Sequence, residues 1–588
     1  MKTVSMSAML ALFASFPAVA ENAAMPLGEP VLEAPTLHSL GVYWIVRGDD
    51  NRNATIEMEC RGKGAKQATR CLPLFRVEKG AHKTPEHGTR LDVPADGWLF
   101  AGSALRLEPG TAYEIRLTLR DPDGGAAEKT LSAKTALEPA WRPTDGQVLH
   151  AAPGGGGGNG SQGNPFKGLA AAQKAAKPGT LILLQPGMYA GTFTVDRSGE
   201  PGKPIVWQGP ADGSAILEGV EQGGKRAGRV ISATGVHDVW FDRLTVQQAD
   251  FGIVAHDSQR IVVRRCRIRQ CEYGFTCSRN ADGQMNGFFL TDNEMEGPST
   301  WPRTKGIENA RGIQITGTGH VVAYNRIRGY ADAIDTFPSP VCAAIDVHNN
   351  DLDTLTDDGI EMDYSERNTR CFDNRLTNVF QGISVQPVHG GPVYIFRNAM
   401  YNVCGEPFKM HNNPSGVLFF HNTCVKKGAA LTVMTSDRVR NSVMRNNLFV
   451  GSDDRYAVCF ESPMEQCDFD FDGFAMTGKF ERFLKWNDVR YADVQEMKAR
   501  APVYRNARSL DPKTLFASPA AVPPADETRH CAVVDLRLRP DAQAVDAGQP
   551  LPGINDGFAG KAPDLGAYEV GADLPHYGPR PLPEGEKK

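Results

Sequence analysis

From about residue 146 onward, short stretches of alternating apolar and polar residues recur along the chain, with turns between them. Each stretch carries a small residue followed by an apolar one. The repeated segments are FGIVAHD, YGFTCSR, RGIQITG, DAIDTFP, DGIEMDY, QGISVQP and EPFKMHN. Alternation with a period of two places successive side chains on opposite faces of a strand, so the pattern predicts many short β-strands, each with one buried face.

A polar or small residue also recurs two places before an apolar residue. It stands at Asp242, Cys266, Asn293, Asn325, Asn350, Asn374, Asn398, Asn422 and Asn446, and the last five positions are 24 residues apart. A fixed step of this size is typical of a solenoid, and stacked side-chain amides can satisfy the backbone of its turns. The pattern resembles the right-handed parallel β-helix of the pectate-lyase superfamily with its inward asparagine ladder. The resemblance implies such a helix over residues 146–470.

The segments on either side of this region predict the remaining domains. Residues 28–137 form short strands separated by turns, and LEPGTAYEIRLTL resembles the Pro-Gly turn and tyrosine corner of a fibronectin type III domain. We expect this domain to be a spacer or buttress, with sugar binding as the alternative. GLAAAQKAAKPG predicts a helix that covers the open end of the stack. Residues 471–570, with a helix near YADVQEMKAR, would cap the other end, and residues 571–588 form a tail. The predicted fold class is all-β, a β-helix preceded by a fibronectin type III-like β-sandwich.

The N-terminal residues 1–20 predict a secretory signal peptide that is cleaved after Ala20, because a short apolar run ends in the small residues AVA. We therefore expect a secreted or periplasmic protein, with no membrane partner. The net charge of −5 gives no electrostatic argument for nucleic-acid binding, and we expect a monomer. The 12 cysteines are an even number. In an exported protein this predicts disulfides, with Cys60–Cys71 and Cys459–Cys467 as the expected pairs.

The stretch TDDGIEMDY concentrates four carboxylates in one strand. Strands of successive coils lie ~4.8 Å apart, so aligning the repeated segments places equivalent residues in columns. One outward column holds Asp335, Glu361, Ser384 and Lys409, a second holds Phe337, Asp363, Gln386 and His411, and a third holds Asp332, Asp358, Gln381 and Glu406. Carboxylates this close raise one another's pKa unless a cation or a substrate offsets them. The columns therefore predict a functional site with either a hard cation such as Ca²⁺ or a pair of catalytic carboxylates.

Three motifs carry a family resemblance. Asp332 in ADAI, the run DDGIE that starts at Asp357, and FK in EPFKM resemble the motifs of family 9 polysaccharide lyases, which are calcium-dependent pectate lyases on a β-helix. The resemblance implies that calcium binds Asp332, Asp357, Asp358 and Glu361, where the last replaces an Asp of the family. It also implies that Lys409, with a depressed pKa, removes the proton next to a uronate carboxylate. The intervening coil QGISVQP would separate Glu361 from Lys409 by ~10 Å.

Further residues complete the predicted site. His411 is a candidate catalytic residue, as proton shuttle or substrate contact, and Asp363, Gln386, Tyr364 and His389 are candidates for substrate binding. Tyr364 and His389 also fit a purely structural role.

The leading hypothesis is a calcium-assisted lyase that acts on a uronate-containing polysaccharide. In a glycoside hydrolase, Asp335 and Glu361 would instead form a retaining pair ~5 Å apart. A C5-epimerase would share the proton abstraction, and a glycan-binding or adhesion protein would have no catalysis.

Overall fold

The computed structural model describes residues 22–83, 91–140, 143, 146–220, 224–281, 283–303, 309–337 and 341–582. The predicted signal peptide, residues 1–20, lies outside the described residues. The described chain is an N-terminal β-sandwich followed by a right-handed parallel β-helix, so the predicted all-β fold class is confirmed.

The sandwich consists of two antiparallel sheets. One sheet contains Met25–Pro26, Val31–Leu32, Leu40–Arg47, Phe75–Arg76 and Gly97–Ala104, and the other contains Thr55–Gly62, Thr69–Arg70, Ala112–Arg120 and Ala126–Lys134. Trp44 is fully buried between them. The Tyr113 hydroxyl accepts a hydrogen bond from the Glu108 backbone N–H at 2.8 Å, the geometry that the tyrosine-corner motif predicts.

Two long parallel sheets run the length of the β-helix. The first contains Val148–Ala152, Phe166–Lys167, Leu181–Leu184, Ile205–Gln208, His237–Asp242, Gln259–Arg264, Phe289–Thr291, Val321–Ala323, Asp346–His348, Thr369–Phe372, Val393–Phe396, Val417–Phe420, Val443–Arg445 and Asp468–Asp470. The second contains Gly187–Ala190, Phe193–Thr194, Ala215–Glu218, Ala227–Ser232, Thr245–Val254, Arg267–Thr276, Glu294–Glu296, Arg311–Ile315, Arg326–Tyr330, Asp332–Thr336, Asp351–Glu361, Arg375–Ser384, Ala399–Val403, Phe408–Lys409, Thr423–Val425, Leu448–Gly451, Gly473–Met476 and Arg508–Leu510.

Shorter strands and three helices complete the chain. The strands are Gly317–Thr318 with Cys342–Ala343, Val439–Arg440 with Met464–Glu465, and a sheet of Leu431–Val433, Tyr456–Phe460, Arg482–Trp486 and Val489–Tyr491. The helices are Leu169–Ala175, Val494–Arg500 and the 3₁₀ turn Pro512–Thr514. The two α-helices occur where the sequence predicted them, one just after the first strands of the stack and one just before its last strand. Within the described residues, no helix is both long and apolar enough to cross a membrane.

A ladder of buried asparagines fixes the register of the coils. Each amide oxygen accepts from the backbone N–H and the side chain of the preceding member, as Asn398 does from Asn374 at 3.1 and 2.9 Å. The ladder runs through Asn293, Asn325, Asn350, Asn374, Asn398, Asn422 and Asn447, and ends at Asp472. The sequence prediction of Asn446 is wrong by one residue, because the turn before it is one residue longer. Asn446 instead contacts His421.

The sandwich packs on the first long sheet. Arg370 and Asp346, both fully buried, form an ion pair that holds the sandwich residues Thr36 and Ser103. Beside it an apolar cluster joins the two domains; it comprises Leu105, Phe372, Tyr394, Phe396, Leu418, Phe420, Leu551 and Ile554. The second long sheet, on the other side of the coils, therefore remains uncovered by the sandwich.

The C-terminal segment 571–582 returns from the last coils to the middle of the β-helix. Gly578 N–H donates to the Asn349 carbonyl at 2.9 Å. Arg580 pairs with Asp292 at 2.6 Å and also with Glu138, which precedes the β-helix. This segment, the C-terminal strap, thus connects residues that are 229 to 442 positions apart in sequence, as 578 − 349 and 580 − 138 give.

All twelve cysteines lie in the described part of the chain, and each has a free thiol. The predicted Cys60–Cys71 and Cys459–Cys467 disulfides are therefore not formed. Cys459 Sγ lies against Glu461, whereas Cys467 Sγ faces the carbonyls of Val439 and Glu465, because the two residues are on different sides of a coil. Burial raises the pKa of the Cys60 thiol to about 12 and that of the Cys467 thiol to about 12, so both are protonated at neutral pH.

Candidate active site

The predicted outward column is confirmed by the strand pairing. Asp335 pairs with Glu361, Glu361 with Ser384, and Ser384 with Lys409 on successive parallel strands. The residue before each of them is apolar, fully buried and inward: Ile334, Ile360, Ile383 and Phe408. Because side chains alternate along a strand, these buried residues direct the polar column to the outer face of the second long sheet.

Six carboxylates meet at this part of the sheet: Asp332, Asp335, Asp357, Asp358, Glu361 and Asp363. Each is less than a tenth exposed. One oxygen from each of Asp332, Asp357 and Asp358 can be chosen so that all three lie within 4.8 Å of one another. The backbone fixes part of this arrangement, because the Asp358 N–H donates to Asp332 Oδ1 at 2.9 Å. Glu361, the predicted fourth ligand, is not a member of this group of three, although its charge interacts with that of Asp332.

The pKa values of these acids reflect their burial and mutual repulsion. Burial raises the pKa of Asp332 well above its usual range, and Asp358 and Asp357 raise it further. Burial likewise raises the pKa of Glu361, with Asp332 and Asp335 as added causes, and that of Asp363, with Asp358 as an added cause. Ionised carboxylates at this spacing require a nearby positive charge.

Three side chains supply part of that charge. Arg311 lies between two acids, with Nη1 3.1 Å from Asp332 Oδ2 and Nε 2.8 Å from Asp335 Oδ2. Arg303 Nη1 lies 3.1 Å from Asp357 Oδ1, and its guanidinium also covers the Phe380 ring. Lys409 Nζ donates to Asp358 Oδ2 at 2.6 Å. The long lysine side chain thus reaches across the intervening strand to the acidic group.

The donor set fits a hard divalent cation. Six carboxylates face three cationic side chains, which leaves an excess of three negative charges if all are ionised. Asp358 Oδ1 is buried and accepts no hydrogen bond from the described residues, and Asp332 Oδ2 has only its ion pair with Arg311. Open, buried carboxylate oxygens are ligands that Ca²⁺ prefers. Asp332, Asp357 and Asp358 would hold such an ion.

The expected depressed pKa of Lys409 is wrong for this arrangement. Burial lowers the pKa of the ammonium, but the contact with Asp358 and the charges of Asp363 and Asp357 outweigh burial and raise it. The prediction failed because it considered the lysine column alone. The ion pair with Asp358, two strands away in the sheet, depends on how far the lysine side chain reaches, which the strand pattern does not give.

The other predicted site residues lie at different distances from the cluster. Asp363 Oδ1 accepts from the Gln386 backbone N–H at 2.6 Å and from Ser384 at 2.7 Å, so Asp363 and Gln386 belong to the site. His411 Nε2 lies 3.2 Å from Glu406, which is not one of the six acids. Tyr364 and His389 lie together on the loops after their strands, with 6.4 Å between ring centroids.

Arg311, Gln314 and Arg303 are site residues that the sequence prediction missed. Arg311 and Gln314 pair with Asp332 and Asp335 on the next strand, and Gln314 Nε2 donates to Asp335 at 2.8 Å. Both lie in RGIQITG, so extending the column by one coil would have found them. Arg303 lies in an irregular segment before that coil, and no repeat position marks it.

A comparison with models of protein families supports the β-helix fold. Residues 229–387 match the family model described as the right-handed β-helix region. No curated protein sequence gives a significant match. Among solved structures, the chain is similar to pectate lyase Pel9A, with 17% identity over 72% of this chain and 96% of that one and a TM-score of 0.36. It is also similar to XylC in complex with xylose, with 11% identity, coverages of 72% and 98% and a TM-score of 0.43. A third is the catalytic domain of a GH87 α-1,3-glucanase, with 12% identity, coverages of 86% and 95% and a TM-score of 0.31.

Proposed function

We propose that this protein is an exported polysaccharide lyase that cleaves a uronate-containing glycan by β-elimination with the help of calcium. One observation carries the proposal. Three buried carboxylates, Asp332, Asp357 and Asp358, lie directly beside a lysine on the outer face of a β-helix, and Asp332 and Asp358 each have an oxygen without a hydrogen-bond donor among the described residues. The resemblance of these residues to the motifs of family 9 polysaccharide lyases supports the same assignment.

The roles of the residues follow from their positions. When bound, calcium would supply the positive charge that attracts a uronate carboxylate and acidifies the proton on the neighbouring carbon. Asp332, Asp357 and Asp358 would hold the ion, with Glu361 close by. Lys409 Nζ is the candidate base. Lys409 Nζ donates to Asp358 as an ammonium, so it must first lose a proton to solvent before it can accept one from the sugar. A cation held by the same carboxylate would favour that loss, because it would offset the negative charge that raises the lysine pKa.

The elimination itself needs few groups. In a chain linked through O4, the C5 proton moves to Lys409 Nζ, and the C–H electron pair becomes the C4–C5 double bond. The C4–O bond breaks at the same time, and the departing oxygen takes a proton from solvent. Arg311 and Gln314 donate to Asp335 and hold its carboxyl group in place beside Asp332.

A glycoside hydrolase is the second candidate, because Asp335 and Glu361 are direct partners on adjacent strands. The ~4.8 Å between adjacent strands is compatible with a retaining pair. Burial raises the pKa of both, which suits an acid but not a nucleophile. Asp335 also accepts hydrogen bonds from Arg311 and Gln314, which leaves it less available for chemistry. These contacts favour the lyase.

The test is a screen of the mature protein on uronic and neutral polysaccharides, with calcium or with a chelator. Ultraviolet absorbance of unsaturated ends and total reducing ends would be measured together. The lyase predicts calcium-dependent absorbance that Lys409→Ala abolishes and the exposed control Lys513→Ala leaves unchanged. Reducing ends without absorbance would indicate a hydrolase. A changed uronate configuration without cleavage would indicate a C5-epimerase, and binding without any reaction would indicate an adhesion protein.

A further inference from the structure

A second concave region continues the site towards the C-terminal coils. It has a volume of about 620 Å³, within the range of about 300–1,000 Å³ typical of ligand pockets. Its lining includes Gln381, Glu406, Lys426, Thr432, Tyr456 and Cys459. We call it the downstream pocket.

The downstream pocket lies on the same columns as the acidic cluster. Thr432 pairs with Cys459 on neighbouring parallel strands of a separate four-stranded sheet, and the first strand of that sheet, Leu431–Val433, contacts Phe408–Lys409. The outward positions Thr432 and Cys459 therefore lie on the coils that follow Lys409. Gln381 and Glu406 connect the two regions, because the Gln381 side chain accepts from the Glu406 backbone N–H at 2.5 Å. A glycan that passes Lys409 along the column would enter this pocket next.

Glu406 is a buried acid with an unused oxygen. It is 4% exposed. Its Oε1 accepts from the Met434 backbone N–H at 3.1 Å and lies 3.2 Å from His411, whereas Oε2 has no hydrogen-bond partner among the described residues. A buried carboxylate oxygen without a donor is costly. A hydroxyl group of a bound sugar would satisfy it.

The charges of the pocket argue against a second uronate. Five acids line it, Glu406, Asp453, Asp454, Glu461 and Glu527, against three bases. The bases are already engaged. Lys427 pairs with Glu527, Arg455 with the exposed Glu481, and the buried Lys426 ammonium donates to the carbonyls of Lys427 and Ala429. A sugar carboxylate placed here would meet Glu406 without a free cation to offset the repulsion.

We infer that the downstream pocket binds an uncharged sugar residue of the glycan, with Glu406 accepting one of its hydroxyl groups. The inference rests on the proposed function and narrows the substrate to a heteropolymer. A uronate lies at the acidic cluster, and a neutral sugar lies one or two coils further along. A polymer made only of uronate would fit the first position and be disfavoured at the second.

The inference is tested by measuring glycan binding to a variant that cannot cleave the glycan. Calorimetry in calcium would use the Lys409→Ala variant with two probes of equal length: an oligogalacturonate, and an oligosaccharide in which galacturonate alternates with rhamnose. We expect the alternating probe to bind about tenfold more tightly. Adding Glu406→Gln, which removes the charge and keeps the shape, should reduce that preference to about twofold. Glu465→Gln, at an exposed position of the short strand Met464–Glu465 outside the pocket, is the matched control and should leave the preference unchanged.

A second variant tests the same pocket independently, so that the inference stays testable if Glu406→Gln does not fold. Thr432→Trp fills the pocket from an outward position and should weaken the alternating probe about tenfold while leaving calcium binding unchanged. Equal binding of the two probes, or a preference that neither variant changes, would overturn the inference while leaving the lyase proposal intact. If neither probe binds and calcium does not bind either, the proposed function fails, and the inference fails with it.

Discussion

Asp358 connects the two halves of the candidate site. Its backbone N–H fixes Asp332, its Oδ2 accepts from Lys409, and its Oδ1 is open. The side chain is fully buried, so solvent cannot supply the missing interaction. Asp358 therefore determines both where a cation would bind and where the Lys409 ammonium lies.

Replacing Asp358 with Asn should lower calcium affinity by at least tenfold, because an amide lacks the charge that a hard cation requires. Calorimetric titration of the purified protein with calcium measures this directly. Asp353→Asn is the matched control, since Asp353 lies on the same strand but binds Asn378 and His530 away from the cluster. Equal calcium affinity in the Asp358 variant and the native protein would contradict the assigned ligand group.

Arg311→Met should make the protein more dependent on calcium for its stability. The substitution removes one of three cations, and leaves Asp332 and Asp335 without their shared partner. Burial and repulsion then destabilise the acids until a bound cation restores the balance. Thermal unfolding with calcium and with chelator should show a larger stabilisation by calcium in the variant than in the native protein. The same or a smaller stabilisation would refute this.

At the scale of the elements, the asparagine ladder sets the register of the whole site. Each amide bonds the next coil, so the columns on the outer face cannot slip by a residue without breaking the ladder. The last member is an acid, and Asp472 Oδ1 accepts from the Asn447 side chain at 2.9 Å and its backbone N–H at 2.7 Å. Burial raises the pKa of Asp472 to about 7, although these hydrogen bonds oppose the change.

Asp472 should therefore destabilise the fold as the pH rises. Its folded pKa lies above the ordinary value of 3.8, so the folded protein binds the proton more tightly than the unfolded chain. The stability that this gives is complete below about pH 4 and is lost as the pH rises towards about 7. Asp472→Asn should remove this loss. The free energy of unfolding of the variant relative to the native protein should therefore be on the order of 1–3 kcal/mol higher at about pH 8 than at about pH 5.

Denaturant unfolding at the two pH values measures the effect. Asp541→Asn, an exposed acid outside the ladder, provides the control and should follow the native pH profile. If the pH profiles of Asp472→Asn and the native protein were parallel, the Asp472 carboxyl group would have the same charge at both pH values, and the prediction would be wrong.

Much of this element-scale order could be predicted from the sequence, because the ladder and the small–apolar pairs repeat in every coil. The Asp335–Glu361–Ser384–Lys409 column needed only that alignment. The ladder position at Asn447 was missed because one turn is a residue longer, which changes the spacing but not the composition. The contacts of Arg303 and Lys409 could not be derived, since long side chains choose partners by reach and charge rather than by strand position.

At the scale of the molecule, the sandwich and the site occupy different sheets. The domain interface contains the fully buried Asp346–Arg370 pair, with Asp346 also accepting from Thr36 and Ser39. Hydrogen bonds from both domains satisfy this pair, which makes the interface specific as well as apolar. The sandwich thus supports the coils of the site from behind and leaves the outer face of the second sheet open.

Asp346→Asn should cost about 3–5 kcal/mol of the free energy of unfolding, because it leaves the buried Arg370 guanidinium without its counter-charge. Denaturant unfolding measures the loss, and a sandwich that unfolds before the β-helix would split the transition in two. Asp96→Asn breaks an exposed pair with Arg47 and should change stability by less than about 1 kcal/mol. A native-like, single transition in the Asp346 variant would show that the domains stay joined without this ion pair.

The C-terminal strap changes how such a stack can come apart. In a solenoid each coil contacts only its neighbours, so coils at an open end can peel away one at a time. Here the chain that leaves the last coils is fastened to Asn349, Asp292 and Glu138. These contacts fasten the end of the chain to the middle of the β-helix and to the segment before it. While they hold, the terminal coils cannot detach one at a time.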